Sequence, residues 1–358
     1  MPNDQRLNDW LKERKARFNE RRADELFERI CQQDRSALSA GITLVESSRL
    51  EDRFEANKLL QLCLAQNKRA WRIGITGVPG VGKSTFIEFF GNFILQHKQS
   101  LAVLAIDPSS NVSGGSILGD KTRMEHLAVN PSAFIRPSPS SGNLGGVAEK
   151  TRECILVCEA AGYDVVIVET VGVGQSETAV AGMTDLFALM QLPNAGDDLQ
   201  AIKKGIMELA DLVLINKADL DANAATRAQA HISSALRLFA PHPHTDIEHA
   251  PWQPPVMLLS ALKGAGLEDF WGLVQQYQQV QKAQGLFIQR RQNQSLTWMN
   301  ERIQAGLQSA FKENPAVKNL WPELTALVLS GQLAPSTASR RLLQANQNLP
   351  HSSGDIHA

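Results

Sequence analysis

Gly77-Val78-Pro79-Gly80-Val81-Gly82-Lys83-Ser84 reads G-x-x-x-x-G-K-[ST], with Thr85 directly behind it. Residues of these types at this spacing wrap backbone N–H groups around the oxygens of a nucleotide's phosphates. The glycines let the amides turn inward, and a helix starting at the loop adds the partial positive charge of its N-terminus. Lys83 is expected to reach the β- and γ-phosphates, and the Ser84 hydroxyl to bind Mg²⁺. The flanks suit this work. Trp71-Arg72-Ile73-Gly74-Ile75-Thr76 is short, apolar and β-branched and reads as a strand, while Thr85 to Leu95 carries apolar residues at helical spacing. Strand, glycine loop and helix start, in that order, predict the binding of a nucleoside triphosphate.

Other residues choose the base. Asn216-Lys217-Ala218-Asp219 follows the strand-like run Leu212–Ile215, and N-K-x-D at a strand end is the guanine-reading tetrapeptide of P-loop GTPases. A buried Asp219 carboxylate can accept from the guanine ring N–H and the exocyclic amine. Adenine offers no such pair of donors, and a site that leaves a buried polar group unpaired rejects the wrong substrate by about 10⁴-fold. Asn216 is expected to tie neighbouring loops and face the purine, and the Lys217 stem to cover one face of the base. Ser260-Ala261-Leu262, at the end of Val256–Leu259, would supply a backbone N–H to the guanine carbonyl.

Hydrolysis points to carboxylates. Glu169-Thr170-Val171-Gly172 follows Val165–Val168 where many GTPases carry Asp-x-x-Gly. There the carboxylate holds a magnesium-bound water and the glycine N–H meets the γ-phosphate. Glu169 is one methylene longer, which suits a water-mediated contact. Asp107, ending Leu101–Ile106, and Asp120, in the run Gly114 to Arg123, are further candidates.

These groups need a scaffold. Between about residues 71 and 280, the apolar runs Trp71–Thr76, Leu101–Ile106, Ala133–Pro137, Val165–Glu169, Leu186–Leu192, Leu212–Ile215 and Val256–Leu259 alternate with helical stretches. Near-continuous apolar strands alternating with helices predict an α/β fold with a mostly parallel sheet covered on both faces. Each motif falls just after a strand, so all should lie at the carboxyl edge, where such sheets bind ligands.

Residues 1–70 show no convincing strand; interrupted helical stripes run through Leu7, Trp10 and Leu11, through Leu26, Phe27 and Ile30, and through Leu59, Leu60 and Leu64. From 286 to 349 the pattern is helical again. Leu296, Met299, Ile303, Leu307 and Phe311 form one stripe, and further helices are expected at Pro322–Leu329 and Ser336–Ala345. Residues 350–358 are expected to be disordered.

With 358 residues, 43% of them hydrophobic, and a net charge of −1, the chain offers no general electrostatic case for nucleic acid or an anionic membrane. No apolar run reaches membrane-spanning length, and the opening Met1-Pro2-Asn3-Asp4-Gln5-Arg6 has no secretory pattern behind it. Cys31, Cys63, Cys154 and Cys158 form no C-x-x-C and suit thiols in a reducing cytoplasm. His242, His244 and His249 sit in a proline-rich stretch that reads as a surface loop rather than a metal site.

Taken together, Gly77–Thr85, Asp107-Pro108-Ser109-Ser110, Gly114–Met124, Glu169 through Glu177, Gly196 through Gly205 and Asn216–Asp219 closely resemble the MeaB/ArgK-type P-loop GTPases. Those are G-protein chaperones of adenosylcobalamin-dependent methylmalonyl-CoA mutase. The resemblance implies a P-loop NTPase of SIMIBI type with helical extensions at both ends, binding GTP and GDP with Mg²⁺. It implies a homodimer through C-terminal helical arms, with GTP hydrolysis slow alone and stimulated by the mutase. By the same match, Ser84, Asp107 and Asp120 would approach the metal, Glu169 its water shell, and Asp197, Gln200 and Lys203 would respond to nucleotide or mutase. Lys203 could stabilise the phosphoryl transition state as an arginine finger does. The resemblance gives the family the role of gating adenosylcobalamin delivery and protecting or reactivating the mutase.

Other readings share the phosphate loop. A nickel-delivering GTPase would carry a Cys/His motif, and the stretch Arg136 to Asn143 has no thiol. An ATP-using kinase linked to amino-acid transport conflicts with Asp219. A binding switch with negligible turnover would carry the same motifs.

Overall fold

The computed structural model describes residues 22–107, 124–139, 144–170, 176–194, 204–238 and 252–347. The chain divides into two compact units, one ending at Arg291 and one beginning at Gln292.

The first unit is built on seven strands: β1 (Trp71–Gly77), β2 (Leu101–Asp107), β3 (Ala133–Pro139), β4 (Val165–Thr170), β5 (Leu186–Gln191), β6 (Leu212–Ile215) and β7 (Val256–Leu258). Their order is β3-β2-β4-β1-β5-β6-β7, and every neighbouring pair is parallel. The expected α/β sheet is therefore present. Parallel pairing buries both faces of each strand, which explains the unbroken apolar runs. On β4, Val166 and Val168 enter one core cluster and Val165 and Ile167 the other, as a period of two residues demands.

Helices cover both faces. One side carries α1 (Arg22–Cys31), α2 (Arg35–Glu46) and α3 (Arg53–Ala65), with α6 (Leu144–Ala160), α7 (Ser176–Ala181), α8 (Lys204–Leu209) and α9 (Ala222–Leu236). The other carries α4 (Lys83–Gln96), α5 (Glu125–Val129) and α10 (Leu267–Ala283), where Phe86 and Phe90 meet Phe270 edge to face. Of the N-terminal stripes, Leu26, Ile30 and Leu59 are buried, whereas Leu64 points out; Leu7, Trp10 and Leu11 lie outside the described residues. Gly74 on β1 lets α7 pack close, since a Cβ there would come within 2.8 Å of Val180 Cγ1 and Thr184 Oγ1.

The amino edge of the sheet holds a buried ion network. Asp211, just before β6, accepts from Arg290 Nη1 at 3.1 Å and Nη2 at 3.0 Å, from Tyr277 Oη at 2.7 Å, and from the Phe187 amide at 2.8 Å. Asp185, just before β5, takes two bonds from Arg291 at 2.7 and 2.6 Å. Glu159 at the end of α6 holds Arg72 at 2.9 and 2.7 Å. Arg290 and Arg291 belong to the first turns of α11 (Leu286–Glu313), so these pairs fix where that helix begins.

The second unit comprises the rest of α11 with α12 (Pro315–Leu329) and α13 (Pro335–Gln347). Val317 and Leu324 on α12 are buried, as is Ala338 on α13. The sequence pattern places a helix start at Pro322. The structure starts it at Pro315, N-capped by Asn314, whose side chain accepts from the Ala316 amide, and Pro322 lies inside the helix. Proline favours a first helical turn, so Pro322 mimicked a start that Asn314-Pro315 supplies. Leu296, Met299, Ile303 and Leu307 are each more than half exposed.

Candidate nucleotide site

The phosphate loop turns between β1 and α4 through residues that only glycine accommodates well. Gly82 caps α4 with φ 97°, and a Cβ there would come 2.6 Å from Asn216 Nδ2. Gly77 runs against the backbone of β5, where a Cβ would come 2.5 Å from Met190 O. Helix α4 then begins at Lys83 itself, aiming its first amides at the loop. Lys83 Nζ donates to Gly77 O at 2.7 Å and to Val78 O at 3.3 Å, which curls the ammonium back over the loop. Burial pulls Lys83 below the ordinary lysine value, and the carboxylates of Glu169 and then Glu177 push it back up.

Strand β4 lies directly beside β1, so its carboxyl end meets the loop. Ser84 Oγ donates to Glu169 Oε1 at 3.1 Å, and Thr76 and Thr170 hydroxyls are 2.8 Å apart just below. A hydroxyl and a carboxylate at this edge are oxygen donors of the type Mg²⁺ takes, one or two protein groups completed by phosphate and water. Among the described residues no group of three or more His, Cys, Asp or Glu could hold a metal alone. Glu177, at the start of α7 and buried, was assigned no role from sequence beyond its place in the matched string. Its relation to Lys83 is made by the packing of α7 on β1 and β4.

The residues expected to read the base come from the end of β6 and the turn after β7. Asn216 is buried; its Nδ2 donates to Val81 O at 2.8 Å, and its Oδ1 accepts from the Ala261 amide at 3.0 Å. One side chain thus joins the phosphate loop to the Ser260–Leu262 turn. Lys217, held at φ 60°, reaches across to Gly80 O at 2.8 Å. Residue 219 departs from expectation: its side chain is 20% exposed, at the rim rather than buried. The Ser260 hydroxyl and then Lys263 hold its carboxyl below the ordinary aspartate value, with Lys263 Nζ 3.1 Å from Oδ2. Lys263 was missed from sequence because no part of N-K-x-D points to a residue over forty positions later.

The turn is already closed on itself. The Ser260 amide donates to Ala265 O at 3.1 Å and the Ala261 amide to Asn216, while no partner is found for the Leu262 amide among the described residues. One backbone N–H was expected from this string, and of its three amides Leu262 N–H is the one left over. Asp107 closes β2 at the same carboxyl edge. Its side chain, together with Asp120, Gly172, Asp197, Gln200 and Lys203, lies outside the described residues, as do His242, His244, His249 and the tail 350–358. The four cysteines are free, and three of them are buried. No helix among the described residues is long and apolar enough to cross a membrane.

Comparison with known proteins extends over this whole arrangement. The family model "Methylmalonyl Co-A mutase-associated GTPase MeaB" matches residues 38–316. A Caulobacter vibrioides protein named as a GTPase is 51% identical over 90% of this chain and 97% of its own. GTPase ArgK of Escherichia coli is 42% identical over 91% of this chain and 97% of its own. The methylmalonic aciduria type A homolog of Mus musculus, a mitochondrial protein, is 43% identical over 94% of this chain and 81% of its own. Among solved structures, one titled LAO/AO transport system kinase superposes with a TM-score of 0.72 at 35% identity, covering 91% of this chain and 98% of that one.

Proposed function

We propose, from the premise that this chain belongs to the MeaB family of methylmalonyl Co-A mutase-associated GTPases, that it is a GTP-driven chaperone of an adenosylcobalamin-dependent methylmalonyl-CoA mutase. It binds GTP and GDP and hydrolyses the triphosphate. In this reading the nucleotide state gates adenosylcobalamin loading and serves to protect or reactivate the mutase. The protein works in the cytoplasm as a homodimer joined through its C-terminal arm.

The observation that carries the reading is the pair of cross-links on the phosphate loop. Ser84 ties it to Glu169 on β4, and Asn216 ties it to the base-reading turn. Phosphate grip, hydrolysis and base choice therefore share one rigid frame. Lys83 would exchange its two carbonyl partners for phosphate oxygens, and the α4 amides would receive the rest of the triphosphate. Ser84 and Glu169, with Asp107 and Asp120, would hold Mg²⁺ and its water. Bound there, the ion would neutralise charge developing between the β- and γ-phosphates. Lys203 is the residue proposed to add positive charge when the client engages, and Gly172, Asp197 and Gln200 are proposed to follow the nucleotide.

The test is GTP and ATP turnover by the purified protein, with and without methylmalonyl-CoA mutase. Expected are a preference for GTP and a clear acceleration by the mutase that Lys203→Ala removes. Unchanged turnover with mutase present would reject the client, and equal use of ATP would reject the base assignment.

A further inference from the structure

We infer that Lys263 is a specificity-determining residue of the base site, its ammonium fixing the Asp219 carboxylate as an oriented acceptor for a purine that presents two adjacent donors. The inference rests on the assignment of Asp219 as the guanine reader and deepens it.

Lys263 is not a loose surface lysine that happens to fall near an acid. Its backbone belongs to a small closed ring: Ser260 and Ala265 exchange both amide bonds at 3.1 Å, the Lys263 amide donates to Ser260 O at 3.2 Å, and the Gly264 amide donates to Ala261 O at 3.1 Å. That ring is fastened to the β6 end by the Ala261 amide on Asn216 and by the Ala218 amide on Leu259 O at 3.1 Å. Both ends of the Lys263–Asp219 contact are thus anchored by the same Asn216-centred frame. The ammonium then stands 3.1 Å from Asp219 Oδ2. The Lys263 side chain as a whole is 63% exposed.

The consequence follows from the chemistry of a carboxyl group. An ionised carboxylate only accepts, at about four lone-pair positions, whereas a protonated one can also donate. Ser260 and Lys263 occupy part of that capacity and leave room for the ring N–H and amine of guanine. Both also favour the ionised form. Adenine presents a ring acceptor beside its amine, and that acceptor is repelled by a carboxylate which has no proton to offer it. Because Asp219 sits at the rim, burial alone does not hold the carboxylate in place, and the neighbouring cation orients it toward the two guanine donors. Among the described contacts, Lys263 touches neither the phosphate loop nor Lys83, so its effect belongs to the base.

The experiment is calorimetric titration of the full chain with GDP and with ADP, in magnesium buffer, for wild type, Lys263→Met, Lys263→Arg and Asp219→Asn with and without Lys263→Met. Lys263→Met is expected to weaken GDP by about two- to fivefold, the range of an exposed ion pair. ADP should be unaffected, so the GDP-to-ADP ratio falls by the same factor. Lys263→Arg should restore the ratio, and Lys263→Met should change nothing in the Asp219→Asn background. An unaltered ratio in Lys263→Met overturns the inference. So does an equal loss for both nucleotides, or a loss that arginine fails to rescue, since either would mean altered loop packing. A wild-type protein with no preference for GDP would instead remove the guanine assignment, a result separable from all of these.

Discussion

Asn216 uses both ends of one amide, and nothing else among the described residues bridges the phosphate loop to the Ser260–Leu262 turn. Replacing it with alanine leaves Val81 O and the Ala261 amide without that partner in a buried setting, at a cost of about 1–3 kcal/mol. Asn216→Ala should weaken GTP and ATP together, read as parallel rises in Kd, because the frame rather than base choice is lost. Asp219→Asn should behave differently. An amide N–H donates where the carboxylate accepted, so the guanine amine meets another donor while the xanthine oxygen at that position accepts from it. The variant should lose GTP affinity by about tenfold or more and gain xanthosine triphosphate, measured by competition. Titration gives the sign of a further effect. The Asp219 pKa is held below its ordinary value, so its contribution is full above the ordinary carboxylate range and is lost as pH falls through the lowered folded value. Without Lys263 that loss should begin at a higher pH.

At the scale of elements, the short glycine turn between β1 and α4 constrains its residues most. Gly82→Ala places a Cβ 2.6 Å from Asn216 Nδ2 at φ 97°, a conformation that costs a residue with a side chain about 1–2 kcal/mol. A clear drop in melting temperature and a loss of GTP binding are expected, whereas Gly80→Ala, at φ 78° in open space, should show the backbone cost alone. The strands themselves were legible because parallel pairing forces unbroken apolar runs; Leu212–Ile215 was read to the residue, and β1 and β2 each run one residue longer than read. Their order was not legible. Crossovers bring Trp71 beside Val165, and no local pattern encodes a partner that distant. The same limit hid Arg290 from Asp211 and Lys263 from Asp219, since an ion pair formed by folding leaves no spacing in the sequence. The Arg290 pair has its own test. Arg290→Met removes the buried cation that faces the Asp211 carboxylate, a loss of about 3–5 kcal/mol. Chemical denaturation should register that loss, while the GTP-to-ATP preference stays as in wild type, because Asp211 lies at the opposite edge of the sheet from Asp219.

Over the whole molecule, the two edges of one parallel sheet divide the work. The carboxyl edge gathers Ser84, Glu169, Asn216 and Asp219; the amino edge, through Asp185 and Asp211, fastens the start of α11. Beyond that anchor the helix carries Leu296, Met299, Ile303 and Leu307 at spacings of three and four, exposed by 56, 52, 51 and 67%. A stripe of four large apolar side chains on a charged helix is a face that water disfavours, and each side chain gains about 1.5–3 kcal/mol on full burial. Burial against the same stripe of a second copy satisfies two such faces at once, as a closed twofold interface requires. The homodimer proposed here then makes a specific prediction. Ile303→Glu together with Leu307→Glu should shift the protein from dimer to monomer in sedimentation velocity, while leaving GDP affinity within about twofold, since both positions lie in the second unit. Stimulation by the mutase separates two forms of the proposal: its loss in the monomer would make the arm part of the client interface, and its persistence would confine the arm to joining subunits. A double variant that sediments as the wild type does would remove this helix face from the interface.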